Sequence, residues 1–325
     1  MRILLLILGV LTCFPLFAEG EFIRVERVQN GTDCLQVAIK TYGVADEKKV
    51  QLVGVSHVGT QKYYEGLQVI LNRADVVLFE GVDGDRASFR QATAEQSPER
   101  SGLQVNLARA LGLVFQLHHI DYEQEHFINS DLTSTQLLAL FDGKEMPESS
   151  PAAQAQMEDL LAGMEQASVS GQAAAAALEF LEMRPGWSRA MRWGMVKMLG
   201  SVTGNVSEYP GLPEHLRTLM QVLIEKRNEK VMSDIHNQLE KLPAGGTVAV
   251  FYGAAHMHDF EQRIGTELEG QWIETLWETA FCGNLQTSGL NLLEKKTISW
   301  FVNQQVRALK MISIPAKDPE PEAAE

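Results

Sequence analysis

Two apolar runs joined by one amphipathic segment constrain this chain more than anything else in it. Lys48–Val55 (KKVQLVGV) and Asp75–Phe79 (DVVLF) have the length and branched-residue content of buried strands. Between them, Tyr63, Leu67, Ile70, Leu71 and Ala74 recur at helical spacing within Gln61–Ala74. A strand–helix–strand unit of this kind makes the two strands parallel neighbours with a right-handed crossover. It also fixes where chemistry can gather. Residues that follow such strands lie at the C-terminal edge of the sheet, where open α/β folds bind ligands.

The rest of the chain builds around this unit. Phe22–Val28 and Cys34–Tyr42 read as strands of an antiparallel hairpin, with Asn30-Gly31 as the turn signal. Val105–Leu111 reads as helix and Val114–Ile120 as strand. Thr133 with Gln136 forms a capping box for a helix running to Phe141. From about 143 to 213 the composition shifts. Pro147, Ser149-Ser150 and Pro151 mark a break, and Ala-, Met- and Leu-rich stretches follow, read as a helical insertion. Its methionines (Met157, Met164, Met183, Met191, Met195, Met198) suit core packing first and an adaptable groove second. Trp187 and Trp193 need no ligand.

Leu216–Leu242 reads as one long helix, stopped by Pro243 and Gly245-Gly246. Thr247–Tyr252 (TVAVFY) is a buried strand. Asp259 with Gln262 suits the cap of a helix carrying Phe260, Ile264 and Leu268, and Trp272–Phe281 alternates like a strand. The expected fold is α/β. A mixed, largely parallel central sheet carries an N-terminal antiparallel hairpin, flanking helices and the helical insertion, in one domain over residues 19–314. Residues 315–325, rich in Pro and Glu, read as a disordered acidic tail.

The first 18 residues fall outside that domain. Met1-Arg2, the apolar run Ile3–Phe17 and Ala18 before Glu19 have the layout of a secretory signal peptide, although Leu16 is large for its position. An uncleaved anchor and a lipidated Cys13 are weaker readings, the latter because Thr12 precedes it poorly. The chain is therefore expected to be exported, to the periplasm or beyond the cell, with no stable membrane span once the signal is cleaved. Export puts Cys34 and Cys282 in an oxidising compartment. They either pair or stay as buried thiols, and the sequence leaves both open. A net charge of −14 argues against a nucleic-acid partner and against an anionic membrane.

Three residues stand out at the expected sheet edge. His57 follows VQLVGVS, Glu80 follows DVVLF, and His256 follows TVAVFYGAA. Gly54-Val55-Ser56-His57 and Gly253-Ala254-Ala255-His256 are both G-x-x-H after a strand, where glycine lets the chain turn and a substrate approach. Two imidazoles and a carboxylate suit a divalent ion with a position left for water, whose pKa the ion lowers. The same groups also suit a metal-free acid–base pair.

Arg227, in Glu225-Lys226-Arg227-Asn228, is a candidate for holding a substrate carboxylate or carbonyl, or for orienting Glu80. Asp131 is a turn residue or a supporting group. His258 reads as a surface residue before a second ligand. His118 and His119, placed on a strand, would point to opposite faces. Ser56 lacks the G-x-S-x-G context of a nucleophile.

These motifs, in this order, carry a family likeness. LVGVSHVGTQKYYEGLQVILNRADVVLFEGV resembles the opening motif of the TraB/PrgY/GumN/TIKI superfamily. Asn-Ser-Asp-Leu-Thr at 129–133 is similar to its Ala-Asp-Leu-Thr segment, with Ser130 where Ala is usual. Glu-Lys-Arg-Asn resembles its Glu-Arg-Asn helix, and VAVFYGAAHMHDFEQRI its second G-x-x-H. The likeness covers roughly Gln51 to Glu269 and leaves out the insertion and the tail. It implies a fold like that of the erythromycin-esterase and ChaN-like proteins. For the TIKI branch it implies metal-dependent peptide-bond hydrolysis. It marks His57, Glu80 and His256 as core site residues and Arg227 as a supporting one.

The leading expectation is an exported metal-dependent hydrolase, most plausibly a peptidase. His57, Glu80 and His256 would hold a divalent ion or activate water, and Arg227 would stabilise the oxyanion. The alternative is a non-catalytic protein that binds a peptide or haem. The substrate class is a peptide or small molecule, and the sequence leaves the oligomeric state open.

Overall fold

The structure is a computed structural model and describes residues 21–82, 103–141, 181–213, 217 and 219–313. The signal segment, the acidic tail, His215, Met157, Met164 and the first part of the insertion lie outside the described residues.

One mixed sheet organises the chain. Its strands are β1 (Ile23–Val28), β2 (Thr32–Gly43), β3 (Lys49–Val55), β5 (Val76–Phe79), β7 (Phe127–Asn129), β8 (Thr247–Gly253) and β9 (Gln271–Gly283). A small separate ladder pairs β4 (Val58–Gly59) with β6 (Val114–Phe115). The parallel half runs β3-β8-β5-β7. The antiparallel half is centred on β2. That strand carries β9 along one edge, and β1 then β3 along the other. Asn30 and Gly31 close the β1–β2 hairpin with positive φ, as the turn signal requires.

β3 and β5 are parallel, but they are not neighbours. β8, from far along the chain, lies between them, with Val55 opposite Gly253 and Phe79 opposite Phe251. The crossover helix α1 (Gln61–Leu71) therefore skips one strand position. Periodicity fixes the sense of a crossover, whereas a later segment decides what fills the gap.

Alternation along the strands sorts side chains into two cores. Val53, Val55, Val77, Phe79, Ala249 and Phe251 face α1, where Tyr63, Tyr64, Leu67 and Leu71 are buried. Leu52, Leu78, Val248, Val250 and Tyr252 face α5 (Arg227–Lys241) and α6 (Met257–Glu267). The result is helices on both faces of the sheet, the arrangement a parallel centre needs to cover its strands. Among the described residues, the remaining α-helices are α2 (Leu103–Ala110), α3 (Ser134–Phe141), α4 (Pro185–Leu199) and α7 (Leu292–Ser313).

Several local expectations change. Val114–Ile120 is not one strand: β6 ends at Phe115, and Gln116–His118 turns as a 3-10 helix. His118 packs edge-on to Phe115 and His119 stacks on Tyr64, so the two histidines do not alternate across a sheet. The Leu216–Leu242 helix is interrupted, because Gln221–Lys226 winds as a π-helix immediately before α5. Asp259 is inside α6 rather than capping it, and His256 holds the N-cap position. The late helix α7 was not anticipated.

The described part of the insertion is no appendage. α4 packs its Ala190 and Trp193 against Leu285, Ile298 and Val302. Trp193 also donates to Asp33 at 2.9 Å. A Cβ on Gly283 would lie 2.4 Å from the Trp193 Cα, so only glycine lets the end of β9 pass beneath α4. Cys34 lies opposite Cys282 on β2 and β9, and the two form a disulfide. Strand pairing, which sequence spacing cannot show, settles that question.

Candidate active site

All four parallel strands deliver a polar residue to the same edge. His57 follows β3, His256 follows β8, Glu80 follows β5 and Asp131 follows β7. Arg227, at the first turn of α5, reaches into their midst. The π-helix just before it is a form often found at functional sites.

Arg227 is the hub. Nε donates to Asp131 Oδ1 at 2.8 Å, and Nη2 donates to Asp131 Oδ2 at 2.6 Å. Nη2 also donates to Glu80 Oε1 at 2.8 Å. Nη1 reaches the Leu223 carbonyl at 3.3 Å and His256 Nε2 at 3.4 Å. A guanidinium has five N–H donors, and each has a protein partner here. Burial alone would lower the Arg227 pKa, but the bonds to Asp131 and the charge of Glu80 raise it above the usual value. An arginine so engaged positions its neighbours. It has no donor left for an oxyanion, so the second role expected for it, orienting Glu80, is the one the geometry serves.

Asp131 completes the clamp. Its side chain is fully buried and also accepts from the Gly81 N–H at 2.9 Å and the Leu132 N–H at 2.7 Å. Glu80 accepts from Arg227 on one oxygen and from the Gly253 N–H at 2.8 Å on the other. Burial would raise its pKa. The Arg227 charge, aided by His256, His57 and the Gly253 amide, holds it well below the usual carboxylate range. Glu80 is thus a fixed anion.

His256 is buried and oriented from behind. Its Nδ1 donates to Asn228 Oδ1 at 2.7 Å. Asn228 cannot flip without loss, because its amide donates to Asp259 Oδ2 at 2.8 Å and to the His256 carbonyl at 3.1 Å. Asp259 is held in turn by Arg263 at 2.8 Å. This chain places the proton on Nδ1 and turns the Nε2 lone pair toward Arg227. Burial pushes the His256 pKa down to about 3, against the opposing pull of Glu80.

His57 is the exposed member. Pairing of β4 with β6 brings Gln116 beside it. The Gln116 backbone N–H donates to the His57 carbonyl at 2.9 Å, and Gln116 Oε1 lies 2.9 Å from His57 Nδ1. Gln116 Nε2 donates to the Tyr122 hydroxyl at 2.8 Å, and in this arrangement its Oε1 is the atom that faces His57 Nδ1. With Nδ1 donating to that oxygen, His57 Nε2 is the unprotonated ring atom, and it lies over Gly253. A Cβ on Gly253 would sit 3.2 Å from that nitrogen and 3.3 Å from Glu80 Oε2. The two groups thus converge on the same face of Gly253.

The paired motifs led to the expectation of a divalent ion on His57, Glu80 and His256. Among the described residues, no group of three His, Cys, Asp or Glu side chains could hold one. Arg227 contacts both His256 Nε2 and Glu80 Oε1 and brings a fixed positive charge to that side of the carboxylate. In this arrangement an ion shared by all three residues would have to displace Arg227 from His256 Nε2 and Glu80 Oε1.

The other candidates fall outside the cluster. The Ser56 hydroxyl donates to the Val58 carbonyl at 2.8 Å. His258 contacts Gln262 at 3.4 Å. The expectations did not include Asn228, Gln116 or Tyr122. Asn228 had a signal, since it directly follows Arg227 on a buried helix turn. Gln116 and Tyr122 had none, because only the β4–β6 pairing brings them to His57.

Fold and site together define a mixed α/β protein in which the C-terminal edge of the parallel strands and the start of α5 form a His–Glu–Arg–Asp–His cluster. No family model, no curated protein and no solved structure matches the chain.

Proposed function

We propose that this chain is a hydrolase that cleaves a carbonyl-centred bond of a peptide or small molecule at the His57–Glu80 edge. The observation that supports this best is the shared space over Gly253. An exposed imidazole with a free Nε2 and a fixed carboxylate both border it. The ordered motifs that resemble the TraB/PrgY/GumN/TIKI superfamily point the same way.

The chemistry follows from those atoms. A water over Gly253 gives a proton to His57 Nε2 as its oxygen attacks the carbonyl carbon. Glu80 keeps its charge and stabilises the imidazolium. When the tetrahedral intermediate collapses, His57 returns the proton to the leaving nitrogen or oxygen. Arg227 and Asp131 hold Glu80 in place, and His256 steadies Arg227. A divalent ion on His57, Glu80 and His256 is a separate proposal, since it needs the Arg227–His256 contact opened. Export is also proposed, and the Cys34–Cys282 disulfide supports it.

The test is turnover of a library of peptide, ester and amide substrates. It is run with wild type, His57→Ala and Glu80→Gln, with and without chelator, beside metal analysis of the purified protein. Hydrolysis that His57→Ala abolishes is expected. No turnover by wild type, or full activity in His57→Ala, overturns the reading. Bound metal together with chelator sensitivity would favour the ion-dependent form.

A further inference from the structure

Among the described residues, helix α7 packs one apolar face on a partner, and its other side also carries large exposed apolar side chains. Ile298 and Val302, with Val306, pack on α4. At 3.6 residues per turn, Leu293, Trp300 and Met311 fall on the opposite side, interspersed with Thr297, Gln304 and Arg307, and Phe301 and Ala308 lie about a quarter-turn away. Leu293 is 74% exposed, Trp300 64%, Phe301 50% and Met311 78%. A surface helix on a soluble core ordinarily turns polar residues outward.

The charges on this helix run against those of the chain. Leu292–Ser313 carries Lys295, Lys296, Arg307 and Lys310 and a single acid, Glu294, in a protein of net charge −14. Lys296, Arg307 and Lys310 lie along one flank of the outer apolar stripe, and all three are exposed. Lys295 is turned to the Gln286 carbonyl, and Glu294 accepts from the Asn291 N–H. An outward Trp, Phe, Leu and Met stripe bordered by cations is the pattern of a helix lying in a lipid–water interface.

We propose that α7 docks this protein on the surface of a bilayer containing anionic phospholipid. The outer stripe enters the headgroup–acyl boundary, and Lys296, Arg307 and Lys310 meet the lipid phosphates. The helix lies on the membrane and does not span it, because no described helix is long and apolar enough to cross one. The acidity of the whole chain, which argued against such a surface, does not extend to this helix. The rest of the chain carries a net negative charge, which the same lipids repel.

Cosedimentation of the full chain with vesicles tests this. One set is phosphatidylcholine alone, and the other contains one-third phosphatidylglycerol. Wild type is expected to bind the anionic set at least tenfold more tightly and to be released by raised salt. Trp300→Ser/Phe301→Ser and Lys296→Glu/Arg307→Glu/Lys310→Glu should each lose at least tenfold, with unchanged unfolding midpoints. Trp272→Ser, which removes an exposed tryptophan from β9, should bind like wild type. No sedimentation of wild type, or equal binding to both vesicle sets, overturns the proposal. So does a solution dimer that the Trp300/Phe301 variant dissociates and that binds no vesicles.

Discussion

The Arg227 guanidinium and the Asp131 carboxylate face each other fork to fork, with paired bonds of 2.8 and 2.6 Å, both groups buried. Two parallel bonds set the plane of the guanidinium, and that plane aims its remaining N–H groups at Glu80 and His256. A buried pair of this kind costs roughly 3–5 kcal/mol when one partner is removed, because the other stays charged and unmatched. Asp131→Ala should lower unfolding free energy by about that amount. Arg227→Lys keeps the charge but not the fork, and should lose most activity while unfolding closer to wild type. Denaturant unfolding beside turnover separates the two, and wild-type activity in Arg227→Lys would show that the fork is dispensable.

His57 and Gln116 divide chemistry from orientation. His57 is exposed, so His57→Ala should leave stability within about 0.5 kcal/mol of wild type. Its loss as a base should lower kcat by about 10²–10⁴-fold. Gln116→Leu keeps the imidazole but frees its tautomer. A smaller fall in kcat is expected, with an altered pH–rate profile and little change in KM. Gln116→Leu with an unaltered profile would mean that the amide does not set the tautomer.

How much of this was legible beforehand differs from residue to residue. His57, Glu80 and His256 could be placed on one edge because each follows an apolar strand, and strand direction is written in local periodicity. Their relation to one another could not. It depends on β8 entering between β3 and β5, a pairing made by residues nearly 200 positions away in the chain. The disulfide was undecidable for the same reason, since Cys34 and Cys282 meet through the β2–β9 register. Arg227 was visible as a helix cation, but its five engaged donors were not, and those donors change its role from stabilising an oxyanion to holding Glu80. The outer face of α7 was missed because a helix apolar on two sides shows no clean single stripe.

Gly253 offers a purely steric test. Its φ of −50° is one that any residue adopts, so alanine there brings no backbone strain. The added methyl would press on His57 Nε2 and Glu80 Oε2 from 3.2 and 3.3 Å, beside the atoms assigned to the reaction. Gly253→Ala should therefore cut turnover at least tenfold and leave the fold intact by circular dichroism. Wild-type turnover in that variant would place the reaction elsewhere.

The Cys34–Cys282 bond ties β2 to β9 across a separation of 248 residues. Closing so long a loop restricts the unfolded chain strongly, and removing such a bond typically costs roughly 2–5 kcal/mol. Cys34→Ser/Cys282→Ser should fall in that range, and reduction of wild type should reach the same midpoint. A midpoint indifferent to reductant would mean that the bond contributes nothing to stability.

Acid should weaken the fold from an unusually high pH, chiefly through His256, with His119, whose pKa burial also lowers, adding to it. Its folded pKa, pushed down to about 3 by burial, lies below its ordinary value of 6.5. Between those values the unfolded chain binds a proton that the native state refuses, so unfolding becomes easier as pH falls. The contribution is complete above 6.5 and is lost progressively down to about 3, at a slope approaching 1.4 kcal/mol per unit. Glu80 adds to this only below its ordinary value of 4.5, because its folded pKa is depressed and its stabilisation fades as it protonates. The window between 6.5 and 4.5 therefore isolates His256 from Glu80. Unfolding free energy measured across that window should fall steadily in wild type, and His256→Gln should flatten the slope while lowering the plateau. An equal slope in both proteins would mean that His256 is not the neutral, buried imidazole its surroundings require.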